Sequence, residues 1–440
     1  IAYFNILKHL RVLAKMKFLV KISIISFSFA NKIDKMSIRV GFKCVVLFLF
    51  SLQMFSQDNS SIKREGGGRN SFEDSVTRRK KNLRDKLKRP AIDLYKIISV
   101  ENDTTVVDTS LTVEKLYKYN YLRKDNFELL SFSNEGQTYN TLAYDFSTQN
   151  IRPLFGARAR HFNYMEVADI NYYQVPTPFT ELYYKSVFSQ GQNLDAFFTM
   201  NKSKRFNFSI AYKGLRSLGK YQNFLTSTGN FRFTLNYQTK NKRYDLKAHY
   251  VAQDLMNQQN GGLTDQALLN FASGNSQFND RARLSVNFED AENILDGARF
   301  YLNQRYDLIP QNDSISKNRI QVGHILNYED KFYRYEQASP ATTLFGNSFV
   351  TSNLVDRTDL EEFNNRVFVE YSNDILGTLN FQANHTYYNY GYNSVLIQEE
   401  GRIPNGIQGD LIAVGAAYKK MYRGFQLKGE AQTLWVISLD

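Results

Sequence analysis

The chain has 440 residues, length enough for one large or two to three ordinary domains, and it combines 15% aromatic residues with a mean hydropathy of -0.44. Aromatic-rich yet hydrophilic is unlike an ordinary globular core and is what two-faced strands give. The net charge of +12 is unevenly placed: the first 89 residues hold 20 Lys/Arg against six Asp/Glu, leaving 35 against 37 for the other 351, so the body lacks the basic footprint of a nucleic-acid binder.

Residues 1–35 begin with Ile and read as upstream or mis-started sequence, with Met36 as the true start. Residues 36–56 have the anatomy of a secretory signal peptide: Arg39 and Lys43 form a positive n-region, Val45 to Phe50 an apolar h-region, and Ser56 a small residue before Gln57. The uncharged run from Cys44 to Ser56 is too short to span a bilayer as a helix. Cys44 comes too early for a lipid-anchoring cysteine, and the mature chain is expected to be free of cysteine.

Residues 57–100 are expected to be a flexible, basic periplasmic segment, because GGGRNSFEDS and RRKKNLRDKLKR cannot bury enough apolar surface to offset ordering entropy. Residues 101–138 suggest a small N-terminal element, periplasmic or lumenal, of undefined structure before the main sheet.

From residue 139 to 433 a two-residue period dominates. In FRFTLNYQTKNKRYDLKAHYVAQ, Phe231, Phe233, Leu235 and Tyr237 oppose Arg232, Thr234, Asn236 and Gln238; after the turn Asn241-Lys242-Arg243, Tyr244, Leu246, Ala248 and Tyr250 oppose Asp245, Lys247 and His249. The same alternation occurs in 205–216, in 281–288 (RARLSVNF), in 377–388 and near Phe425 to Gln432. Polar loops separate the strands, and no βαβ alternation appears, so the pattern predicts an antiparallel all-β meander. The segments 205–216, 230–240 and 377–388 exceed the roughly 5–6 residues usual for soluble strands and match the roughly 9–11 that cross a bilayer. The reading is an antiparallel up-and-down transmembrane β-barrel, with the Phe/Tyr/Leu face toward lipid and the Asn/Arg/Lys face toward an aqueous lumen.

Under that register Arg232, Arg281, Arg283, Arg299, Arg305, Lys213, Lys247, Asp245, Asp307 and Glu430 face the lumen, where they select ions or simply pair and fill space. The Arg281 to Arg305 cluster would bias a channel toward anions. The histidines His9, His161, His249, His324 and His385 are scattered without metal-pair spacing; His249 near Asp245 and His385 near Asn384 are the nearest to a catalytic pair, and an interfacial Tyr/His belt accounts for them more simply. No catalytic, cofactor or metal constellation emerges.

The runs LTVEKLYKYNYLRKDNFELLSFSNEGQTYNTLAYDF (111–146) and PLFGARARHFNYMEVADINYYQVPTPFTELYYKSVFSQGQNLDAFFTMNKSKRFNFSIAYKGLRSLGKYQN (153–223) resemble the Putative porin family of the Bacteroidetes lineage, from about residue 100 to about 433. The resemblance implies a single outer-membrane barrel for passive diffusion of small hydrophilic solutes, in contact with outer-membrane lipid and the barrel-assembly machinery, with self-association open and no cofactor. The chain departs from the family in length and in its end: residues 434–440, LWVISLD, lose the alternation and read as an aberrant tail of a truncated member. Two rivals remain: a barrel enzyme acting on lipid or peptide, marked by an Asp/His or Ser/His pair on the wall, and a soluble β-sandwich adhesin, marked by two packed sheets.

Overall fold

The computed structural model describes residues 90–110, 112–143, 155, 162–187, 191–309, 318–348, 350–393, 396–398 and 401–439. The upstream sequence, the signal peptide and most of the basic segment lie outside the described residues. An N-terminal stretch holds five short strands: β1 (Lys96–Ile98), β2 (Thr104–Val106), β3 (Leu129–Ser131), β4 (Tyr139–Thr141) and β5 (Tyr172–Gln174). β1 pairs with β2 and β5, and β3 pairs with β4. The strand at Lys96–Ile98 puts structure inside the stretch read as flexible up to residue 100. Tyr139–Thr141 joins β3, not the large sheet, so the meander begins at Phe179 and not at 139.

The meander is one eleven-stranded antiparallel sheet: β6 (Phe179–Val187), β7 (Gly191–Ser203), β8 (Phe206–Ser217), β9 (Thr226–Gln238), β10 (Tyr244–Gln259), β11 (Ala291–Asp307), β12 (Asn318–Gln337), β13 (Leu354–Asn373), β14 (Gly377–Tyr392), β17 (Gly406–Tyr422) and β18 (Phe425–Leu439). The hairpin β15 (Leu396–Gln398) and β16 (Gly401–Ile403) stands apart from it. Each strand pairs with the next along the meander, and among the described residues β6 and β18 are not paired to each other: the sheet is an open wall. The backbone of β18 continues to pair with β17 as far as Leu439.

Local chemistry sets the turns. Between β9 and β10, Asn241 accepts from the Arg243 amide through its side chain (3.2 Å) and Lys242 takes φ 54, closing the predicted Asn-Lys-Arg corner. β17 turns into β18 through Arg423 and Gly424, both at positive φ (48 and 87), the two-residue geometry whose twist suits a hairpin. One end of the sheet carries compact turns such as these, while the other carries long connections, including 260–290 with the helix α1 (Asp265–Ala272) and 338–353 with the single turn α2 (Thr342–Phe345).

The predicted strand at 281–288 is corrected here. β10 and β11 pair without interruption from Tyr244↔Tyr306 to Gln259↔Ala291, which loops out everything between them. Asp280 caps a 3-10 turn at Arg281–Arg283 by accepting from the Ala282 amide (3.1 Å), and Val286 makes only an isolated bridge to Leu263. Eight alternating residues without a neighbouring strand in register are not enough to make one.

The two faces of the sheet differ sharply. Register places Tyr250, Phe300, Tyr328, Phe363 and Tyr387 in one row on the apolar face, with rows of Ala, Leu, Val and Tyr toward the compact turns. Val367, Val369 and Phe381 there are 49%, 44% and 59% exposed, so the aromatic and aliphatic rows meet no second sheet. Toward the long connections the same face becomes acidic, with Asp254 opposite Asp296 and Asp330 opposite Glu361. A polar ladder crosses the apolar rows: Tyr244 Oη donates to Gln304 Oε1 (2.9 Å), Gln304 Nε2 lies 2.9 Å from His324 Nδ1, and His324 Nε2 lies 2.7 Å from Asn365 Oδ1.

Candidate functional site

The opposite face is polar, and the described residues of 91–178 are laid against it. Its side chains pair into this N-terminal stretch at point after point. Asn134 Nδ2 donates to the Ser217 and Phe224 carbonyls (3.2 and 2.7 Å), Thr226 Oγ1 to the Glu135 carbonyl (2.6 Å), and Tyr121 Oη meets Thr228 Oγ1 at 2.7 Å. Gln253 grips residue Met165 twice, accepting from its amide (2.9 Å) and donating to its carbonyl (3.2 Å). Lys247 donates to the Ser99 carbonyl (2.7 Å) and to Asn102 Oδ1 (2.5 Å). Buried polar groups are costly unless paired, so a strand face this polar is stable under cover only because the covering chain supplies partners.

The densest cluster is ionic. Arg299, 1% exposed, donates to the Met165 carbonyl (2.6 Å) and lies 3.5 Å from both Glu166 and Glu329. Glu329 also accepts from Tyr164 Oη (2.7 Å) and Lys331 (3.3 Å). Burial, reinforced by the Glu329 carboxylate, pushes the Tyr164 phenol well above its ordinary range, so it remains a proton donor throughout the working pH range. Gly297 makes the approach possible: a Cβ there would stand 2.3 Å from Tyr164 Oη. Beside this cluster Phe155, Tyr164, Leu255 and Leu295 form an apolar core, and Tyr172 is hydrogen-bonded to His249 Nδ1 (2.9 Å), whose ring stacks on Tyr301.

The ten charges singled out in the sequence divide by position. Lys213, Arg232, Asp245, Lys247, Arg299, Arg305 and Asp307 share the polar face of β8 to β11. Of these, Arg232 pairs with Asp195 (3.0 Å), Lys213 lies 4.5 Å from the Tyr121 ring centroid, Asp307 holds Arg319 (2.8 Å), and Arg305 donates to Asn303 (3.2 Å). Glu430 is on the same face through the register Gln321↔Glu370↔Asn380↔Ala417↔Glu430, exposed, and accepts from Gln382 (3.3 Å). Arg281 and Arg283 are brought to neither face: Arg281 rests on the Phe271 ring and Arg283 reaches Asp280 (3.5 Å) in the β10–β11 connection.

The histidines separate likewise. His249 is buried on the polar face rather than in an interfacial belt, His324 belongs to the outer ladder, and His385 Nε2 lies 2.7 Å from Asp410 Oδ1 on the apolar face; His9 and His161 lie outside the described residues. No group of three or more His, Cys, Asp or Glu able to hold a metal occurs among the described residues. Sequence reasoning expected a small N-terminal element before the main sheet but missed that the stretch covers the polar face. The residues that make the contact, Asn134 and Tyr164 of the covering stretch and Gln253 of the wall, carry no spacing signature.

Cavities open along this interface, among them one of about 190 Å³ between Ile97, Asp169 and Tyr173 of the covering stretch and Asp195 and Arg232 of the wall. Another, of about 170 Å³, lies toward the compact turns among Asp245, Arg305, Asp307 and Arg319. A third, about 570 Å³, lies toward the long connections.

An open antiparallel wall with one apolar face, one polar face and a covering N-terminal stretch defines a barrel-type membrane architecture, and the comparisons place it further. The family described as Putative porin matches residues 91–438, and the chain belongs to that family. No curated protein matches it. Among solved structures, the closed form of the ferric-catecholate import receptor Fiu from Escherichia coli K12 is similar over 58% of this chain, with 10% identity and a TM-score of 0.39. The chain spans 39% of that receptor's length.

Proposed function

We propose that this chain forms the wall of an outer-membrane channel through which small hydrophilic solutes diffuse passively, with residues 91–178 narrowing the lumen. In this reading the chain is exported by its signal peptide and inserted by the barrel-assembly machinery. The observation that carries it is the two-faced wall: Arg299, Lys247 and Asn303 are 1–2% exposed on one face while Val367, Val369 and Phe381 stand 44–59% exposed on the other. Lipid is the medium that makes the second face stable, and enclosed solvent with paired ions suits the first.

His385 and Asp410 supply a His/carboxylate pair of the kind an enzyme would need. Their register does not complete one, because a nucleophile must adjoin the imidazole and His385 is flanked in register by Asn365 and Ile412. The adhesin reading required two packed sheets, whereas the eleven long strands form one. A non-enzymatic channel therefore accounts for the most features. Liposomes carrying the full-length protein are expected to swell in sugars up to a size limit, and deletion of residues 91–178 is expected to raise that limit. Liposomes that stay impermeable to every small sugar and ion, with or without the deletion, would rule the channel out.

A further inference from the structure

The largest of these cavities does not resemble the rest of the polar face. It is walled by the turn after β3 (Phe132, Gln137), the β8–β9 connection (Tyr221, Phe224), the start of the β10–β11 connection and the polar face of β11 and β12 (Asn293, Tyr333). Four aromatic rings line it, the remaining polar groups are amides and hydroxyls, and no Asp, Glu, Lys or Arg contributes. This neutrality is local: the smaller cavity at the other end is lined by Asp245, Arg305, Asp307 and Arg319.

Its wall also holds buried polar atoms without a partner inside the protein. Gln137 and Asn293 are only 6% and 5% exposed, yet Gln137 Oε1, Asn293 Oδ1 and the Thr138 hydroxyl have no hydrogen-bond partner. An unpaired buried acceptor costs about 1–3 kcal/mol, a cost that rotation of these side chains toward a guest in the cavity would recover. The backbone is shaped to hold the walls apart. Gly261 and Gly262 turn the connection at φ +66 and +86, and a Cβ on Gly261 would strike the Phe288 ring at 2.4 Å. Asn260 fixes this corner to the β8–β9 connection by donating to the Gln222 carbonyl (2.9 Å).

Resting on the channel reading above, we infer that this cavity is a binding site for a neutral saccharide at the long-connection end of the lumen. A sugar presents apolar C–H faces to aromatic rings and hydroxyl donors around its rim, which complements four rings with amide acceptors between them and repays no charged group. A volume of about 570 Å³ is within the range of small-molecule sites and suits a unit of one to two rings. Charged solutes would lose hydration there without gaining a counter-ion, so the site discriminates against them.

Equilibrium dialysis of the detergent-solubilised full-length protein against radiolabelled maltose and cellobiose tests this, with glucuronate and glycylglycine as competitors. Binding in detergent needs no open pore, so its failure is separable from failure of the channel, which liposome swelling reads. At least one disaccharide is expected to bind saturably in the millimolar range, with glucuronate and glycylglycine at least tenfold weaker. Phe224→Ala and Gln137→Leu should each weaken binding about tenfold. Phe132→Ala, at a ring already 45% exposed and so dispensable for folding, should weaken it threefold or more. Heat-modifiable gel migration establishes that each variant is folded. Absence of saturable sugar binding, competition by glucuronate or glycylglycine equal to the sugar's own, or a folded Phe132→Ala variant with unchanged affinity would overturn the assignment.

Discussion

The walls β10–β11 and β17–β18 are built from the same alternation and end in different physical states. On β11, Arg299, Asn303 and Asp307 are 1%, 2% and 5% exposed; on β18, Lys428, Glu430 and Gln432 occupy equivalent polar-face positions and are all exposed. β18 is the edge strand of the open wall and β11 an inner one, which accounts for part of this. The rest comes from the described residues of 91–178, whose contacts reach β7 to β12 through Asn201, Thr228, Gln253, Arg299 and Glu329. A polar strand face is thus neither core nor surface until another chain segment decides, and an ion pair of the same sequence type is worth very different amounts on the two walls.

The sharpest way to break the contrast is to remove the buried cation. Arg299→Met leaves Glu329 and Glu166 without it, and should cost about 3–5 kcal/mol, read as a lowered midpoint in urea unfolding and faster proteolysis within residues 91–178. Glu430→Gln on the exposed wall should stay within about 0.5 kcal/mol in the same assay. An Arg299→Met variant as stable and protease-resistant as the parent would show that the stretch is not held by that cluster. Tyr164→Phe removes the donor to Glu329 and should cost about 1.5–3 kcal/mol, and because the phenol stays protonated the loss should be unchanged between pH 6 and 9. Gly297→Ala should cost about 1–3 kcal/mol by crowding Tyr164 Oη, and less when introduced into Tyr164→Phe, a coupling that a double-mutant cycle measures. Lys247→Met gives up two hydrogen bonds to the Ser99–Asn102 turn, and should loosen only that turn by about 1–2 kcal/mol, seen as local amide exchange.

The sheet was legible because its period is written residue by residue. Phe231, Phe233, Leu235 and Tyr237 fall on one face as read, and the Asn241-Lys242-Arg243 corner is where the chain turns. The covering stretch was illegible for the converse reason: three-residue strands such as Tyr172–Gln174 are too short to show a period, and their stability comes from partners more than a hundred residues away, as with Lys247 and Ser99. The misread strand at 281–288 shows the limit of local alternation, since the long-range register between Gln259 and Ala291 settled the matter. Inward charges were read from the same alternation, but whether Arg299 met water or Glu329 depended on a contact no spacing encodes. The cavity rings Phe132, Tyr221 and Phe224 sit on connections, where aromatic and amide residues carry no pattern to detect.

Strands β12 and β13 run for 20 residues each, about twice the 9–11 that cross a hydrocarbon layer, and their outer rows turn from aromatic to acidic on the way to the long connections. The part of the wall toward the long connections therefore exceeds the length a hydrocarbon layer needs, and it carries Asp254, Asp296, Asp330 and Glu361 on the outer face. On the proposed channel reading, a solute would reach the cavity among those connections from free solution, before it came level with any lipid.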